Sequence, residues 1–158
     1  MAWSSLSLAP FVPTPPEVVR TMLRLAELKR DEVLYDLGCG DGRILVIAAQ
    51  EFGAQAVGVE LNLNLVREGR EKISSLDLEN RVKIIHGNIL ETDISPADLV
   101  TLYLTTSANE KVKPKMEQEL KTGARIVSHD FGIPGWKPAK IDRVQENYRT
   151  HTIYMYVR

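Results

Sequence analysis

The 158-residue sequence has one cysteine, three histidines and almost no excess charge, and these shortages exclude several classes of protein. The single Cys39 excludes an intramolecular disulfide and a zinc site made of cysteines alone. His86, His129 and His151 are not at a spacing typical of metal ligands, so we expect no metal. The net charge of −1 gives no global positive field for nucleic acid or an anionic membrane, although a local positive patch could still exist.

Long apolar runs are also missing from the sequence. No stretch approaches the roughly 20 residues that a membrane-spanning helix needs, and residues 1–10 lack the basic start and apolar run of a signal peptide. One cysteine is in keeping with a reducing compartment, so we expect a cytoplasmic protein. Repeats and low-complexity segments are absent. We therefore predict a single domain over residues 1–158, in which residues 1–16 form an irregular arm that covers the cofactor site.

Short apolar strands alternate with helical patterns along most of the chain, and two alternating segments follow at the end. Such an order predicts an α/β fold with a mostly parallel, doubly wound sheet, closed by an antiparallel C-terminal hairpin and containing about seven strands. Thr14 could cap the first helix, whose first turn carries Pro16 and Glu17. We predict strands over 33–37, 56–60, 82–86, 98–104 and 124–129, helices over 44–51, 64–77 and 108–120, and hairpin strands over 141–148 and 150–157.

The first predicted strand ends in a glycine-rich turn, residues 38–42 (GCGDG). Glycines let a backbone pass close to a ligand, and the following helix presents free N–H groups at its N-terminus. A dinucleotide-binding turn needs a small residue at the third position of GxGxxG, where this chain has Arg43. Carboxylates at Asp36 and Asp41 would repel a pyrophosphate. The turn therefore favours a cofactor with an ammonium and a sulfonium, which is S-adenosylmethionine.

Polar residues also stand at the end of the second predicted strand and shortly after the third. Glu60 lies about 20 residues further on, where an acid can accept hydrogen bonds from ribose hydroxyls; an acid at the start of a helix is the alternative. Asn88 could bond the adenine amino group and Ile89 could cover the adenine ring, and a simple turn residue is the alternative for Asn88. The glycine turn and these residues, in this order, predict one cofactor site.

These motifs resemble those of the class I, or seven-β-strand, methyltransferases, which implies a Rossmann-like fold. Four segments resemble more narrowly a family of protein-lysine methyltransferases with archaeal and mitochondrial members, the latter acting on the ATP-synthase c-subunit and the adenine nucleotide translocase. The resemblance runs from about Pro10 to the end of the chain and implies methyl transfer from S-adenosylmethionine to lysine ε-amines, on several protein substrates. We expect no counterpart of the membrane segment that the mitochondrial members carry. The four segments are residues 13–15 (PTP) with the helix over 17–25, then 36–43 (DLGCGDGR), 58–62 (GVELN) and 124–128 (ARIVS).

The resemblance also implies roles for individual residues. Asp36, Gly38 and Gly40 would hold the methionine part of the cofactor, and Glu60 would hold the ribose. The adenine would lie at Asn88 and Ile89, with Pro13 and Thr14 over the cofactor. The complete set of predicted cofactor-binding residues is Pro13, Thr14, Asp36, Gly38, Gly40, Asp41, Glu60, Leu61, Asn88, Ile89 and Tyr103.

Residues after the fourth and fifth predicted strands are candidates for the entrance of the acceptor. A lysine amine, with an ordinary pKa of about 10.4, must lose a proton before it reacts, and an apolar entrance lowers that pKa. Tyr103 could add a cation–π contact, and we place Thr105, Phe131 and Trp136 with it as catalytic candidates. Packing roles for Tyr103 and Trp136 are open alternatives. His129 could act as a general base, although a structural role is favoured.

Other functions stay open at this point. Nucleic-acid amino methyltransferases commonly place an Asn/Asp-Pro-Pro-aromatic turn after the fourth strand, where this chain has residues 104–107 (LTTS). Small-molecule methyltransferases usually add segments that roof the substrate pocket, for which 158 residues leave little room. Arg43 disfavours a nicotinamide-dependent oxidoreductase, and a nucleotide-binding module without catalysis remains an alternative. We expect a monomer with protein substrates and neither nucleic acid nor a membrane as partner.

Overall fold

The computed structural model describes residues 11–158, so residues 1–10 of the predicted arm lie outside the described residues. Within the described part, no helix is long and apolar enough to cross a membrane. In chain order the elements are α1 (Pro16–Leu25), β1 (Val33–Leu37), α2 (Arg43–Phe52), β2 (Gln55–Glu60), α3 (Leu63–Ser75), β3 (Val82–His86), β4 (Leu99–Leu102), α4 (Thr106–Glu119), β5 (Arg125–His129), β6 (Lys140–Glu146) and β7 (Arg149–Val157).

The seven strands form one sheet in the order β3-β2-β1-β4-β5-β7-β6. Strands β1 to β5 are parallel, and β7 pairs antiparallel with both β5 and β6. The chain builds outward from β1 to β3 and then crosses to β4 on the other side of β1. Strand order therefore reverses between β1 and β4, which is where open α/β sheets bind ligands. The predicted α/β fold, mostly parallel with an antiparallel C-terminal hairpin, is confirmed.

Both faces of the sheet are covered, which explains why its central strands are apolar apart from Asp36 in β1 and Thr101 in β4. On one face α1, α2 and α3 pack through residues such as Met22, Leu45 and Val66. On the other face α4 packs through Val112 and Met116. Successive residues of β1 point into opposite clusters, as the two-residue period of a strand requires. The rigid sheet fixes the positions of the loops at its carboxyl edge.

The predicted capping role of Thr14 is wrong. The residue before α1 is Pro15, in an extended conformation, and no side chain caps the helix. Thr14 is buried, and its Oγ1 lies 3.1 Å from Nδ1 of His129, at the end of β5. Because this partner is 115 residues away, the local sequence pattern could not reveal it. Pro16 occupies the first turn of α1, where a missing N–H costs nothing.

Candidate active site

A cavity of about 510 Å3 opens at the carboxyl edge of the sheet, beside the point where strand order reverses. Its lining comes from the arm before α1, the turn after β1, the end of β2 and the segments that follow β3 and β4. Of the predicted cofactor-binding residues, only Gly40 and Asp41 are not in its lining. The predicted residues that line it are Pro13, Thr14, Asp36, Gly38, Glu60, Leu61, Asn88, Ile89 and Tyr103.

The glycine turn owes its shape to backbone angles that other residues rarely adopt. Gly38, Gly40 and Gly42 all have positive φ, at 83°, 57° and 85°. A Cβ at Gly40 would lie 2.2 Å from a ring carbon of Phe11, so only glycine lets the arm pass this close. The N–H of Gly38 donates to the carbonyl of Val59 at 2.8 Å, which ties the turn to β2. The turn is therefore held in place by β2 and packs directly against Phe11 of the arm.

Asp36 places a buried carboxylate in the wall of the cavity. The residue is 3 % exposed, and the Thr101 hydroxyl donates to its Oδ1 at 2.9 Å. Burial raises the pKa of Asp36 to about 7, the Thr101 hydrogen bond opposes this rise, and the negative charge of Glu60 adds to it. A carboxylate that is this poorly solvated is stabilised by a bound cation. The ammonium group of an amino acid would meet that need.

Glu60 is held by two backbone N–H groups at the end of β2. Its Oε1 accepts from Gly40 N at 2.8 Å, and its Oε2 accepts from Asn62 N at 2.9 Å. Each carboxylate oxygen has two lone pairs, so each can also accept from a ribose hydroxyl. Gly40 thereby takes part in the site through Glu60, although it does not line the cavity.

Asp41 points into an ion-pair cluster and not into the cavity. Burial alone would raise the pKa of Asp41, but hydrogen bonds from Arg43 and the charge of Lys72 hold it below its ordinary value. Its Oδ2 lies 2.8 Å from Nη2 of Arg43 and 3.5 Å from Nζ of Lys72. These contacts explain why a long basic residue stands at position 43. A cofactor role for Asp41 stays a prediction, because the structure places its charge among these partners.

Polar and apolar groups after β2 and β3 form the far end of the cavity. Asn88 accepts from Leu90 N through Oδ1 at 2.9 Å, which leaves its NH2 group free to act as a donor. Ile89 is 7 % exposed and supplies an apolar surface. The carbonyl of Leu61 lies 3.0 Å from Nε2 of His86. This end therefore offers a flat aromatic group both hydrogen bonds and an apolar contact.

Tyr103 lies at the opposite end of the cavity from Asn88. It directly follows β4, which ends at Leu102, whereas Asn88 follows β3 on the other side of β1. The ring centroid of Tyr103 lies 3.8 Å from that of His129 and 6.5 Å from that of Phe131, which is 36 % exposed and is not part of the cavity lining. Burial, together with the charge of Asp130, raises the pKa of Tyr103, so its phenol stays neutral. Two predicted catalytic residues, Tyr103 and Phe131, thus lie together.

The other two predicted catalytic residues, like Phe131, do not line the cavity. Thr105 caps α4, since its Oγ1 accepts from Ala108 N at 3.1 Å. Trp136 packs edge-on against Tyr156, with ring centroids 5.8 Å apart, and its Nε1 donates to Glu117 at 3.2 Å. Catalytic roles for both residues stay predictions, and the structure does not bring either of them to the group around Tyr103.

A buried histidine pair is the part of the site that sequence reasoning missed. His129 is fully buried, and its Nε2 lies 2.8 Å from Nδ1 of His151. With Asp130 the two residues bring possible metal-ligand atoms within 4.8 Å of one another, and the Arg149 guanidinium contacts both Asp130 and His151. The histidines are 22 residues apart and meet only because β5 and β7 pair. The alternation of His151, Ile153 and Met155 with other residues along β7 is the one sequence signal that could have placed His151 in the interior, and all three residues are buried.

Known proteins resemble this chain over most of its length. Residues 36–140 match the model of the ANTKMT methyltransferase domain. A protein-lysine N-methyltransferase of Saccharolobus islandicus (strain REY15A) is 48% identical over 94% of this chain and 92% of its own. The adenine nucleotide translocase lysine N-methyltransferase of Mus musculus is 32% identical over 84% of this chain, which spans 57% of the mouse protein.

A solved structure agrees with the architecture as well. The crystal structure of an RNA methyltransferase from Salinibacter ruber in complex with S-adenosyl-L-homocysteine superimposes with a TM-score of 0.86 and is 40% identical, covering 92% of this chain and 93% of that one. The predicted methyltransferase fold is confirmed. With a family model matched over residues 36–140 and a relative 48% identical over nearly its full length, the chain belongs to the ANTKMT methyltransferase domain family.

Proposed function

We propose that this protein transfers a methyl group from S-adenosylmethionine to the ε-amine of lysine side chains in proteins. The observation that carries the proposal is one cavity in which the buried carboxylate of Asp36 and the fixed carboxylate of Glu60 flank the glycine turn. A cationic amino-acid group and a ribose fit these two positions. The lysine acceptor is supported by the protein-lysine N-methyltransferase of Saccharolobus islandicus, at 48% identity.

The residues of the cavity fit this cofactor part by part. Asp36 would hold the ammonium, Glu60 the ribose hydroxyls, and Asn88 and Ile89 the adenine. The N–H groups of Gly38 and Gly40 already donate to Val59 and Glu60, so these glycines contribute close approach and not hydrogen bonds. When bound, S-adenosylmethionine supplies an electrophilic methyl group on its sulfonium. We place Pro13 and Thr14, which also line the cavity, over the cofactor.

The acceptor enters at the end of the cavity that Tyr103 occupies. The aromatic groups of Tyr103 and Phe131 desolvate the lysine side chain, and desolvation lowers the pKa of an amine. An aromatic face also attracts the ammonium form and guides it into place. The rate gain comes mostly from holding the amine nitrogen about 3–3.5 Å from the methyl carbon, in line with its leaving bond.

Labelled methyl transfer into a cell lysate tests the proposal. The protein would be incubated with S-adenosylmethionine that carries a labelled methyl group, and protein and RNA fractions would be hydrolysed separately. We expect label in methyllysine from several proteins, with a Glu60→Ala variant as the matched inactive control. Label confined to RNA would reject the lysine acceptor, and mass spectrometry of the products would give the number of methyl groups on each lysine.

RNA is the second candidate acceptor, and one observation favours it. The Salinibacter ruber neighbour, 40% identical, is named an RNA methyltransferase. The segment after β4 disfavours a planar base, because Leu104 is buried against Gly38 and the Thr105 hydroxyl serves as a helix cap. Neither side chain offers the polar grip that a base requires. The net charge of −1 likewise supplies no general attraction for a phosphate backbone.

We place residues 1–158 in one methyltransferase domain, with the arm of residues 1–16 over the cofactor site. We further propose that the protein acts as a cytoplasmic monomer. Light scattering coupled to size-exclusion chromatography tests the monomer, and a mass of about two chains at micromolar concentration would reject it.

A further inference from the structure

A line of hydrogen-bonding groups runs from the cavity to the surface through the interior of the protein. Thr14 lines the cavity, and its Oγ1 lies 3.1 Å from Nδ1 of His129. Nε2 of His129 lies 2.8 Å from Nδ1 of His151. Nε2 of His151 lies 3.3 Å from Oε1 of Glu146, whose side chain is 31 % exposed. Four side chains from the arm and strands β5, β6 and β7 thus connect the cavity with solvent.

Methylation of an amine creates a need for such a connection. The acceptor begins as an ammonium and ends as a methylammonium, so each transfer releases one proton. The sulfonium of the cofactor and the buried walls make the cavity a poor place for that extra positive charge. The proton must leave either before the lysine enters or by a path through the protein.

We propose that Thr14, His129 and His151 form a relay that carries the proton of the acceptor amine out to Glu146 and solvent. This inference rests on the proposed lysine acceptor, and it makes the three residues positioning and proton-transfer groups for that reaction. The cooperative strengthening of linked hydrogen bonds in a low-dielectric interior favours such a line of groups.

Each step of the relay moves one proton from a donor atom to the next acceptor atom. An N–H bond of the acceptor ammonium breaks as its proton passes to Thr14 Oγ1, which leaves the neutral amine that attacks the methyl carbon, while the Thr14 hydroxyl gives its own proton to Nδ1 of His129. His129 then releases the proton on Nε2 to Nδ1 of His151. His151 releases the proton on Nε2 to the carboxylate of Glu146, which passes it to water. This direction requires both rings to begin with the proton on Nε2, and the rings return to that form by exchange with solvent after the product leaves.

The charges around the histidines suit a relay and not a stable imidazolium. Burial lowers the pKa of His129 to about 4, the carboxylate of Asp130 opposes this, and His151 and Arg149 add to the lowering. Asp130 is itself paired with Arg149, which limits how far it can stabilise a proton on His129. The same guanidinium contacts both ring nitrogens of His151, so its positive charge disfavours an imidazolium there as well. The Tyr103 ring packs on His129 from the cavity side. His129 therefore passes a proton on without keeping it.

The variant His151→Gln tests the relay at its centre. Glutamine can still accept from Nε2–H of His129, but its amide cannot carry a proton onward. We expect kcat for lysine methylation at pH 7 to fall at least 10-fold and to recover towards the wild-type value as the pH approaches about 10, where solvent deprotonates the amine. The cofactor Kd, measured by calorimetry, should change less than twofold. The matched control is Thr152→Val, next on β7, for which we expect a wild-type pH profile.

A pair of variants at the cavity end tests the same idea without altering the buried histidines. Thr14→Ser keeps the hydroxyl and should keep the wild-type pH profile, whereas Thr14→Val removes it and should reproduce the profile of His151→Gln. If the dependence of kcat on pH has the same shape in the wild type, His151→Gln and Thr14→Val, the relay is overturned. If the wild-type protein itself methylates no lysine, the proposed function fails first, so the two failures are distinguishable.

Discussion

The cofactor end and the acceptor end of the cavity are built in different ways. At the cofactor end, Glu60 binds the backbone of Gly40, 20 residues away, and of Asn62, two residues away. The longest contact there, from Thr101 to Asp36, spans 65 residues. At the acceptor end, Thr14 meets His129 across 115 residues, and His129 meets His151 through the pairing of β5 with β7. A local motif can specify the first end, whereas only the completed sheet creates the second. We therefore expect variants at the two ends to separate cofactor affinity from turnover.

The largest expected effect comes from Glu60→Ala at the cofactor end. This change removes two acceptors for ribose and releases the backbone of Gly40 and Asn62. Hydrogen bonds to a charged group contribute about 1.5–3 kcal/mol each, so we expect the affinity for S-adenosylmethionine to fall about 100-fold or more. Calorimetry measures the Kd, with Glu68→Ala on the exposed side of α3 as control. Unchanged affinity would remove the ribose role of Glu60.

Tyr103→Ala should produce the next largest effect, and this effect should be a lower kcat. Removal of the ring takes away a cation–π partner and opens the packing against His129 and Phe131. A desolvated cation–π contact is worth about 2 kcal/mol, which corresponds to a kcat about 30-fold lower. Tyr103→Phe keeps the ring and should retain most of the activity. A large rise in the cofactor Kd, with kcat unchanged, would instead assign Tyr103 to the cofactor end. The two ends could then not be separated by this variant.

The same contrast explains how much of the fold and of the candidate site could be predicted from the sequence. Strands over 33–37 and 82–86 have the predicted bounds, because apolar runs bounded by glycine or polar residues are local signals. Nine predicted cofactor residues line the cavity for the same reason, since most of them follow a strand in the motif. The contact of Thr14 with His129 and the histidine pair were not predicted, because the partners lie far along the chain. Trp136 is a catalytic candidate because of its place in the loop after the fifth predicted strand, whereas its position is set by contacts with Tyr156 and Glu117.

The pH dependence of cofactor binding should show a smaller effect, through Asp36. Its pKa is raised to about 7 by burial, so the carboxylate needed by an ammonium forms only as the pH rises through that value. We expect affinity to increase about 10-fold between pH 6 and pH 8 and then to level off. Calorimetry at both pH values measures this, and Asp36→Asn should bind weakly with little dependence on pH. A flat wild-type profile would mean that Asp36 is already ionised in the free protein.

The raised pKa of Asp36 has a second consequence, for the stability of the cofactor-free protein. Because the folded-state pKa lies above the ordinary value of 3.8, the protonated carboxyl favours folding below about pH 4, and this contribution is lost as the pH rises through about 7. The Tm of Asp36→Asn, relative to that of the wild type, should therefore increase between pH 5 and pH 8. Thermal unfolding without cofactor measures the difference, and a decrease over that range would contradict the assigned shift.

Trp136→Phe should have the smallest effect on activity, and it tests whether the acceptor end extends beyond Tyr103 and Phe131. The Trp136 ring packs on Tyr156 and its Nε1 donates to Glu117, so the variant loses one hydrogen bond and part of a packed surface. We expect the free energy of unfolding to fall by about 1 kcal/mol, with kcat and the cofactor Kd both within twofold of wild type. Unfolding in urea and steady-state methylation measure these quantities. A 10-fold loss of kcat at unchanged stability would instead return Trp136 to the acceptor end and require the loop of residues 132–138 to move towards the cavity during the reaction.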